Sequence, residues 1–562
     1  MEDKLLLPGN TITPENVDQL DESYFKTVQE GEALHDEAFQ TKRVSYLRDS
    51  LRRFAKNKGS VVAAIIILII VLYALIVPLA SPRSYVDPIK YPSGYRDANF
   101  AYVLPYNPMF AGTGFWDGTK VEDGIAQDTF DIRSYDDSNH SPIVEVVGKE
   151  EKTIKIGPKT TTIVSYSVRT DTYALGCKRL SLSKVEFDKL LAYDNAQKAL
   201  DPNYKTIMKP LVDVEGYLAE YEQTMRDDGV GENQIVTILD FLKSDYNLNP
   251  RWYFAMTAKT ASGSYSSNQF LPVLDANNNP VDIYLRDDSG NPVYYELRNG
   301  TYNVRVDYLD YARFNLGFDP HFLFGANASG QDIFLRLASG ARFSLLLGVA
   351  ISAINFIIGL VWGAVSGYYG GAVDMAMERV TDIIANVPSI IILSICSIQF
   401  TNNIELKASI GQGGIVLLAF LVAFVYSGWV GVAGTTRMQF YRFKGQEYVL
   451  ASRTLGAKDR RLIFRHILPN AIGTLVTSSV LMIPGVIFSE SSLSYLGIID
   501  FSTSGMSSIG TLLNEGQSAG LQYNPHVLLF PCIIISLLMI CFNLFGNGLR
   551  DAFNTTLKGA EE

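Results

Sequence analysis

EYVLASRTLGAKDRRLIFRHILPN, residues 447–470, is the run from which the rest of the chain can be read. Arg453, Lys458, Arg460, Arg461 and Arg465 face only Glu447 and Asp459 as local counter-charges, yet the run lies between two apolar segments long enough to cross a bilayer. A loop of that charge between two spans stays on the cytoplasmic side. Its pattern predicts two short helices around a turn. Glu447 to Leu455 alternates apolar and polar residues at helical spacing, and Gly456 supplies the flexible stop expected at a helix C-terminus. From about Ala457 to Leu468, the residues Leu462, Ile463, Phe464, Ile467 and Leu468 make a broad apolar stripe. Pro469 is expected to break that helix, because proline lacks the amide hydrogen and clashes with the preceding turn. Small Ala451 and Ser452 would let a cytosolic partner approach closely, with its carboxylates on the arginines. The plainer alternative is a solvated basic loop that fixes topology only.

Working outward, six apolar runs appear. The first, VVAAIIILIIVLYALIVPLA at 61–80, has the roughly 20 residues that match the hydrocarbon thickness. Arg43, Arg48, Arg52, Arg53, Lys56 and Lys58 crowd its N-terminal side, so the N-terminus is expected inside. No cleaved signal peptide is evident, and the run reads as an uncleaved anchor that exports the chain on its C-terminal side. The second span, 345–368, carries Gly359, Gly363 and Gly367 four apart, a stripe on which a neighbouring backbone can pack closely. DMAMERVTD at 374–382 reads as a short inner connection. A third span at 383–400 is kinked or started by Pro388, and 401–411 reads as a polar outer turn. The fourth span is 413–433. The fifth, about 472–492, contains Thr477, Ser478, Ser479 and Glu490, with Pro484-Gly485 placed to interrupt it; the sixth is about 526–545. An unpaired carboxylate is costly in lipid. Glu490 is therefore expected either to pair with a polar neighbour or, with Ser478 and Ser479, to line a pore or vestibule.

Between the first and second spans lies a long stretch without an apolar run, 82–320, in which acidic residues outnumber basic ones. Residues 82–140, rich in Tyr, Pro, Gly and Asn, read as irregular. Residues 143–176 are β-branched and alternating, and 281–310 have the same texture with SGNP and Asn299-Gly300 as hairpin turns. Two runs within 181–248, VEFDKLLAYDNAQKAL and VEGYLAEYEQTMRDDG, look helical. An α+β domain inserted between the first two spans is the simplest account.

Composition narrows the function. The formal charge of -10 argues against nucleic-acid binding, which favours a basic surface. Four cysteines show no metal spacing and no disulfide framework. No HExxH, no GxSxG in a strand–turn–helix setting and no nucleophile–base pair is visible, so no catalytic residue and no metal ligand is assigned. There is no GxxxxGK[ST] phosphate loop either.

The 447–470 run resembles the cytoplasmic EAA loop of ABC-transporter permeases: Glu-Ala-Ala, three residues, Gly, nine residues, then Ile-x-Leu-Pro. Ala451, Gly456, Leu468 and Pro469 fall in register, while Leu450, Ser452 and His466 replace the Glu, the second Ala and the Ile. The wording ALGA followed by IFRHILPN is similar to the oligopeptide/dipeptide/nickel branch and its C-type permeases. So are SESSLSYLG (489–497) and FNLFGNGLRD (542–551), and HFLFGANASGQD places Gly325, Gly330 and Asp332 where that branch has a Gly-Thr-Asp-x-x-Gly-Arg-Asp run.

The resemblance implies an α-helical polytopic membrane protein, a type I ABC importer permease with six transmembrane helices and an extracytoplasmic α+β domain between helices 1 and 2. The expected division is a cytoplasmic segment 1–58, helix 1 at 59–81, the insert 82–320 and an outer interfacial helix within 321–344. A permease core 345–550, with the coupling loop 434–470, and a cytoplasmic tail 551–562 complete it. It implies Glu447, Ala451, Ser452, Arg453, Leu455, Gly456, Ala457, Asp459, Leu468 and Pro469 at the contact with an ATPase. The implied partners are a homologous second permease, two ATPase subunits carrying the ATP and Mg, an extracytoplasmic substrate-binding protein and the bilayer of a prokaryotic cell. No cofactor is expected on this chain. Oligopeptides or dipeptides are the expected cargo, with nickel or another small solute as the alternative within the branch. A membrane-anchored ligand receptor is the rival from another class.

Overall fold

A computed structural model describes residues 46–80 and 97–553, apart from 136, 157–158, 214–218, 220–221, 224, 228, 237–248, 257–267 and 502–506. Most of the expected N-terminal segment, the end of the expected tail and much of the VEGYLAEYEQTMRDDG helix therefore lie outside the described residues. The chain divides into two compact units, 1–56 and 57–562. The first contains the helix α1, Tyr46–Lys56.

The second unit opens with α2, Lys58–Ala80, and then enters the 82–320 segment. Its elements are β1 (Thr119–Ala126), α3 (Gln127–Ser134), β2 (Ile143–Ile156), β3 (Lys159–Asp171), β4 (Cys177–Leu182), α4 (Lys184–Leu200), β5 (Met208–Lys209), β6 (Trp252–Met256), β7 (Asn268–Pro272), β8 (Tyr295–Arg298), β9 (Thr301–Asp307) and α5 (Tyr308–Leu316). The strands form three antiparallel sheets, ordered β1-β3-β2, β4-β9-β5 with β8 on β9, and β6-β7. Asn299 (φ 50) and Gly300 (φ 80) make the two-residue turn from β8 to β9, where both positions need positive φ. Ser183 and Glu186 close a reciprocal capping box at the start of α4. The stretch expected to be irregular holds β1 and α3. Its strand pairs with β3, distant in sequence, so nothing local reveals it.

Two features consolidate this segment. Arg305 clamps Asp137 with two bonds of 2.5 and 2.6 Å in a nearly closed site. Burial alone would raise the Asp137 carboxyl, but the guanidinium outweighs it and holds the group below the ordinary range. The core of Phe100, Val103, Tyr173, Tyr308, Leu309 and Phe322 continues without a break onto Leu335, in the next helix, with Val77 of α2 packed against it.

That helix, α6, runs from Ile333 to Tyr369, about 55 Å at 1.5 Å per residue. Asp332 caps it, accepting the Phe334 N–H at 2.8 Å. The separate interfacial helix expected before residue 344 is thus the first turns of one continuous rod, since no proline or turn residue interrupts it. Next come α7 (Gly371–Ala385) and α8 (Ser389–Asn402), bent by 69°. Residues 374–382, expected as a connection, are helical; the bend sits at Pro388, which precedes α8 rather than entering it. Then α9 (Ile404–Gly428), broken at Gly411, is followed by α10 (Val430–Lys444). Much of the expected outer turn 401–411 is helical because Asn403 caps α9.

The basic loop forms α11 (Glu447–Thr454) and α12 (Asp459–Arg461), and a π-helical turn (Leu462–Ile467) leads into α13 (Leu468–Val480). Pro469 does not end the helix as expected. The Leu468 N–H donates to the Ile463 carbonyl, five residues back, and this widened turn accommodates the ring. The remaining helices are α14 (Met482–Tyr495), α15 (Ile509–Ala519) and α16 (Pro525–Phe553). The break between α13 and α14 falls at Leu481. Pro484 lies in the first turn of α14, where its missing N–H has no intrahelical use. Among the described residues, five helical runs are long and apolar enough to cross a membrane: Lys58–Ala80, Ile333–Tyr369, Ile404–Lys444, Asp459–Tyr495 and Pro525–Phe553. The bent pair α7–α8 passes the same test when taken as one.

The tightest helix contact joins α6 to α10. A Cβ on Gly359 would lie 2.6 Å from the Val432 Cβ, one on Gly363 2.2 Å from the Ala433 carbonyl oxygen, and one on Gly367 2.7 Å from the Phe440 Cβ. Gly434, on α10 itself, has open space where its Cβ would be. Gly363→Ala is therefore expected to push the rods apart and lower the melting temperature of the purified protein, by about 1–3 kcal/mol of stability. Gly434→Ala is expected to leave it unchanged; equal melting of the two variants would remove this account of the packing.

Candidate functional site

The 447–470 loop is anchored on one side and open on the other. Val449 of α11 with Leu462 and Ile467 of the π turn are buried against Ala364 and Tyr368 of α6 and Phe440 of α10. Tyr368 adds polar ties: its hydroxyl donates to Asp459 at 2.6 Å and accepts from Arg453 at 3.1 Å. Gly456 joins the two halves at φ 83, a conformation that suits glycine. No heavy atom lies within 4 Å of its would-be Cβ, so geometry rather than crowding favours glycine here. Of the expected contact residues, Glu447, Ala451, Arg453, Leu455, Gly456, Asp459 and Pro469 are exposed, and Ser452, Ala457 and Leu468 are half-buried. Leu450, Leu455 and Phe464 are exposed apolar groups among Arg460, Arg461 and Arg465, with Leu455 88% exposed. Such a surface, apolar and basic on a rigid base, is chemically fit to dock an acidic-rimmed apolar cleft.

Sequence reading missed the lock beneath this loop. Asp374 on α7 is gripped by Arg437 on α10 through Nε at 2.6 Å and Nη2 at 2.7 Å, and it accepts from Tyr441 at 2.7 Å and from Ser366. Lys444 donates to the Gly367 and Tyr368 carbonyls, where a cation meets the negative end of α6. Residues so distant in sequence leave no local pattern; only the charge of Asp374 beside an apolar run hints at it.

Glu490 is 1% exposed and turned into the protein. It accepts from Ser344 at 2.9 Å, Ser494 at 3.1 Å and Ser491 at 3.3 Å, while the Ser344 hydroxyl accepts the Ile509 N–H. Of the two roles open to it, this geometry is the paired one: it ties α6, α14 and α15 together. Ser478 and Ser479 donate to carbonyls of their own helix, at Thr474 and Val476. Farther along α6, Arg336 bonds Glu515 at 2.5 Å, and Asn327 bonds the same carboxylate at 2.8 Å.

One group of metal-compatible atoms occurs among the described residues: His140, Asp307 and Asp310. Arg313 lies 3.0 Å from Asp310 and 3.2 Å from His140, and Asn139 donates to both aspartates. A guanidinium in that place repels a cation, so the cluster reads as an ion-pair network. The Asp310 bond pushes the imidazole pKa of His140 up against its burial.

Long apolar helices packed through small residues define a polytopic membrane protein. Residues 359–559 match the family described as binding-protein-dependent transport system inner membrane component, and residues 45–101 match the N-terminal TM domain of oligopeptide transport permease C. The oligopeptide transport system permease protein OppC of Bacillus subtilis (strain 168) is 40% identical over 235 residues, 42% of this chain and 72% of that protein. The dipeptide transport system permease protein DppC of the same organism is 37% identical, over 42% of this chain and 69% of its own length. OppC of Haemophilus influenzae is 37% identical over 234 residues, 42% of this chain and 70% of that protein. A solved inward-facing MetNI methionine ABC transporter aligns with a TM-score of 0.31 at 18% identity, over 39% of this chain and 96% of its own. The chain belongs to the family of binding-protein-dependent transport system inner membrane components, as a multi-pass membrane permease of ABC transporters.

Asp374→Asn is expected to leave Arg437 only the more distant Glu378 carboxylate, at 3.5 Å, as counter-charge. The loss is about 2 kcal/mol once the partial exposure of the arginine is allowed for. Arg437→Lys is expected to fare nearly as badly, since a point charge cannot reproduce the fork. Thermal melting of the purified protein checks both, and wild-type melting of Asp374→Asn would show that the lock is idle.

Proposed function

We propose that this chain forms one half of the translocation path of an ATP-driven importer of oligopeptides or dipeptides. Its fellow half is a homologous permease, and two separate ATPase subunits hold the ATP and Mg. The observation that carries this reading is the 447–470 loop, bound by its buried side to the ends of α6 and α10 and bare on its other side. The named relatives, which transport oligopeptides and dipeptides, support the choice of cargo. Residues Glu447 to Pro469 then seat in the ATPase, and nucleotide-driven movement of that subunit swings α6 and α10 as a body. The bent pair α7–α8 makes the sixth crossing, which leaves both termini in the cytoplasm and the 82–320 segment outside. Gly359, Gly363 and Gly367 hold the moving rods together.

The coupling step is tested at Gly456. Valine there is a genuine outlier at φ 83, yet it meets no neighbour, so the effect is confined to the turn. Gly456→Val is expected to lower uptake of labelled peptide and binding-protein-stimulated ATP hydrolysis together, with normal amounts of complex in the membrane. Full coupling in that variant would refute the docking role of the loop.

Delivery of cargo must occur at the face where the 82–320 segment stands, because that segment leaves α2 and returns into α6. We assign it the docking of the substrate-binding protein, for which a standard interface of roughly 1,200–2,000 Å² suffices. Replacing residues 90–315 with a flexible linker is expected to abolish stimulation by the loaded binding protein, compared at equal amounts of assembled complex. Unchanged uptake at limiting peptide would remove the docking assignment.

A further inference from the structure

Residues 98–116, ANFAYVLPYNPMFAGTGFW, contain no Asp, Glu, Lys or Arg, although the segment they belong to has more acidic than basic residues. The structure places their last part against the ends of the membrane helices. Tyr73 lies about 22 Å along α2 from Lys58 and about 10 Å short of Ala80. Its hydroxyl donates to the Phe334 carbonyl at 2.5 Å, so the first turn of α6 stands level with a part of α2 that is still apolar. Leu75, Ile76 and Leu79, farther out on α2, remain exposed.

From that level an aromatic ladder climbs outward. Phe324 packs on Phe334 with centroids 5.1 Å apart and stacks on Phe530 of α16 at 4.0 Å. Trp116 lies against both Phe324 and Phe530, at 6.2 and 5.9 Å, and its indole N–H donates to the Leu323 carbonyl. Phe110 stacks on Trp116 at 6.3 Å, and Phe115 meets both rings edge-on. Beside Phe530, Leu529 and Ile533 of α16 are exposed. At the top Met109 is 86% and Phe115 64% exposed, although each sits next to buried or stacked aromatics.

Much of the loop's backbone is also hydrogen-bonded from within. The N–H groups of Asn107, Phe110, Ala111 and Thr113 donate to the carbonyls of Trp116, Asn107, Pro108 and Phe110. Those of Met109, Gly114 and Phe115 donate to the side chains of Asn107, Asp117 and Thr113, and Thr113 gives its own hydroxyl to Phe110. Such internal bonding lowers the cost of placing a segment where water is scarce.

We propose that residues 107–116 form a wedge seated in the interfacial layer of the bilayer, with Met109, Phe115 and Trp116 all within the region of the headgroups and upper acyl chains. An uncharged, internally bonded tip, continuous with the lipid-facing sides of α2 and α16, fits that layer, where Trp and other large apolar groups partition. Arg169 flanks the tip, its guanidinium 3.5 Å from where a Gly114 Cβ would lie, as suits a cation at the headgroup level. The wedge fixes the 82–320 segment to the membrane surface close to the outer ends of α2, α6 and α16. This inference rests on those helices crossing the membrane and not on the identity of the cargo.

The test uses the assembled complex in lipid nanodiscs, with Cys177, Cys396, Cys532 and Cys541 replaced by Ala. Nitroxide labels are placed at Met109→Cys, Phe115→Cys and, as a control, Asn277→Cys in an exposed turn. Labels at 109 and 115 are expected to collide more with oxygen than with a water-soluble nickel chelate, and the ratio should invert at 277. Chelate preference at 109 and 115 would overturn the wedge, and so would immobile labels reached by neither probe, which would place a protein partner there. An impermeant maleimide applied to the Asn277→Cys variant in intact cells reports separately which side of the membrane the segment occupies. Failure of the sidedness assignment is therefore distinguishable from failure of the wedge.

Discussion

The close approach of α10 to the glycine face of α6 is the contact on which the rest of the permease depends. In lipid, apolar side chains gain little by leaving one hydrocarbon surroundings for another, so close van der Waals contact and polar ties must hold helices together. Gly359, Gly363 and Gly367 provide the contact, with backbone and side-chain atoms of α10 filling the space their missing Cβ atoms leave. At the same end, Asp374 brings α7 into the pair through Arg437, and Lys444 closes the carbonyl end of α6. Glu490 makes an equivalent tie elsewhere on α6, joining it to α14 and α15 through serine hydroxyls. Asp374 is paired with a cation and Glu490 is hydrogen-bonded by hydroxyls, as buried polar groups in a membrane must be.

The basic loop inherits its rigidity from that contact. Val449, Leu462 and Ile467 share one buried cluster with Ala364, Tyr368 and Phe440, so the loop cannot shift without moving the ends of both rods. Force applied to Leu455 or Phe464 would reach α6 and α10 directly rather than being absorbed by a soft linker. Two glycine roles meet here. At Gly363 a side chain has no room, whereas at Gly456 there is room but the backbone angle is unfavourable for other residues. The π turn is a third local solution: it admits Pro469 without ending the helix, and the loop and α13 therefore continue as one piece.

The segment between α2 and α6 is not a tethered accessory. Its core of Phe100, Tyr173, Tyr308 and Phe322 runs onto Leu335 and Val77. The aromatic ladder from Tyr73 to Trp116 gives it a second footing. A binding protein engaging this segment would thus meet a surface whose foundation is the membrane helices themselves. The Arg305–Asp137 clamp and the His140–Asp310–Arg313 network stiffen it from inside.

Much of this was determined by the sequence alone, because it rests on short-range physics. Lengths of apolar run, the basic charge of 447–470, the positive-φ turns at Asn299-Gly300 and Gly456, and the Gly359–Gly363–Gly367 stripe all depend on neighbours within a few residues. The same locality explains what sequence reading got wrong. It expected Pro469 to stop a helix, where a π turn just before it admits the ring. It set 321–344 apart and read 374–382 as a connection, where the chain is helical from Ile333 to Tyr369 and from Gly371 to Ala385. The partner of Asp374 is Arg437, that of Glu490 is Ser344, that of β1 is β3, and Trp116 leans on Phe530. Such pairings depend on which surfaces the folded chain brings within reach. The local pattern offers many equivalent partners, and only close packing in three dimensions selects among them.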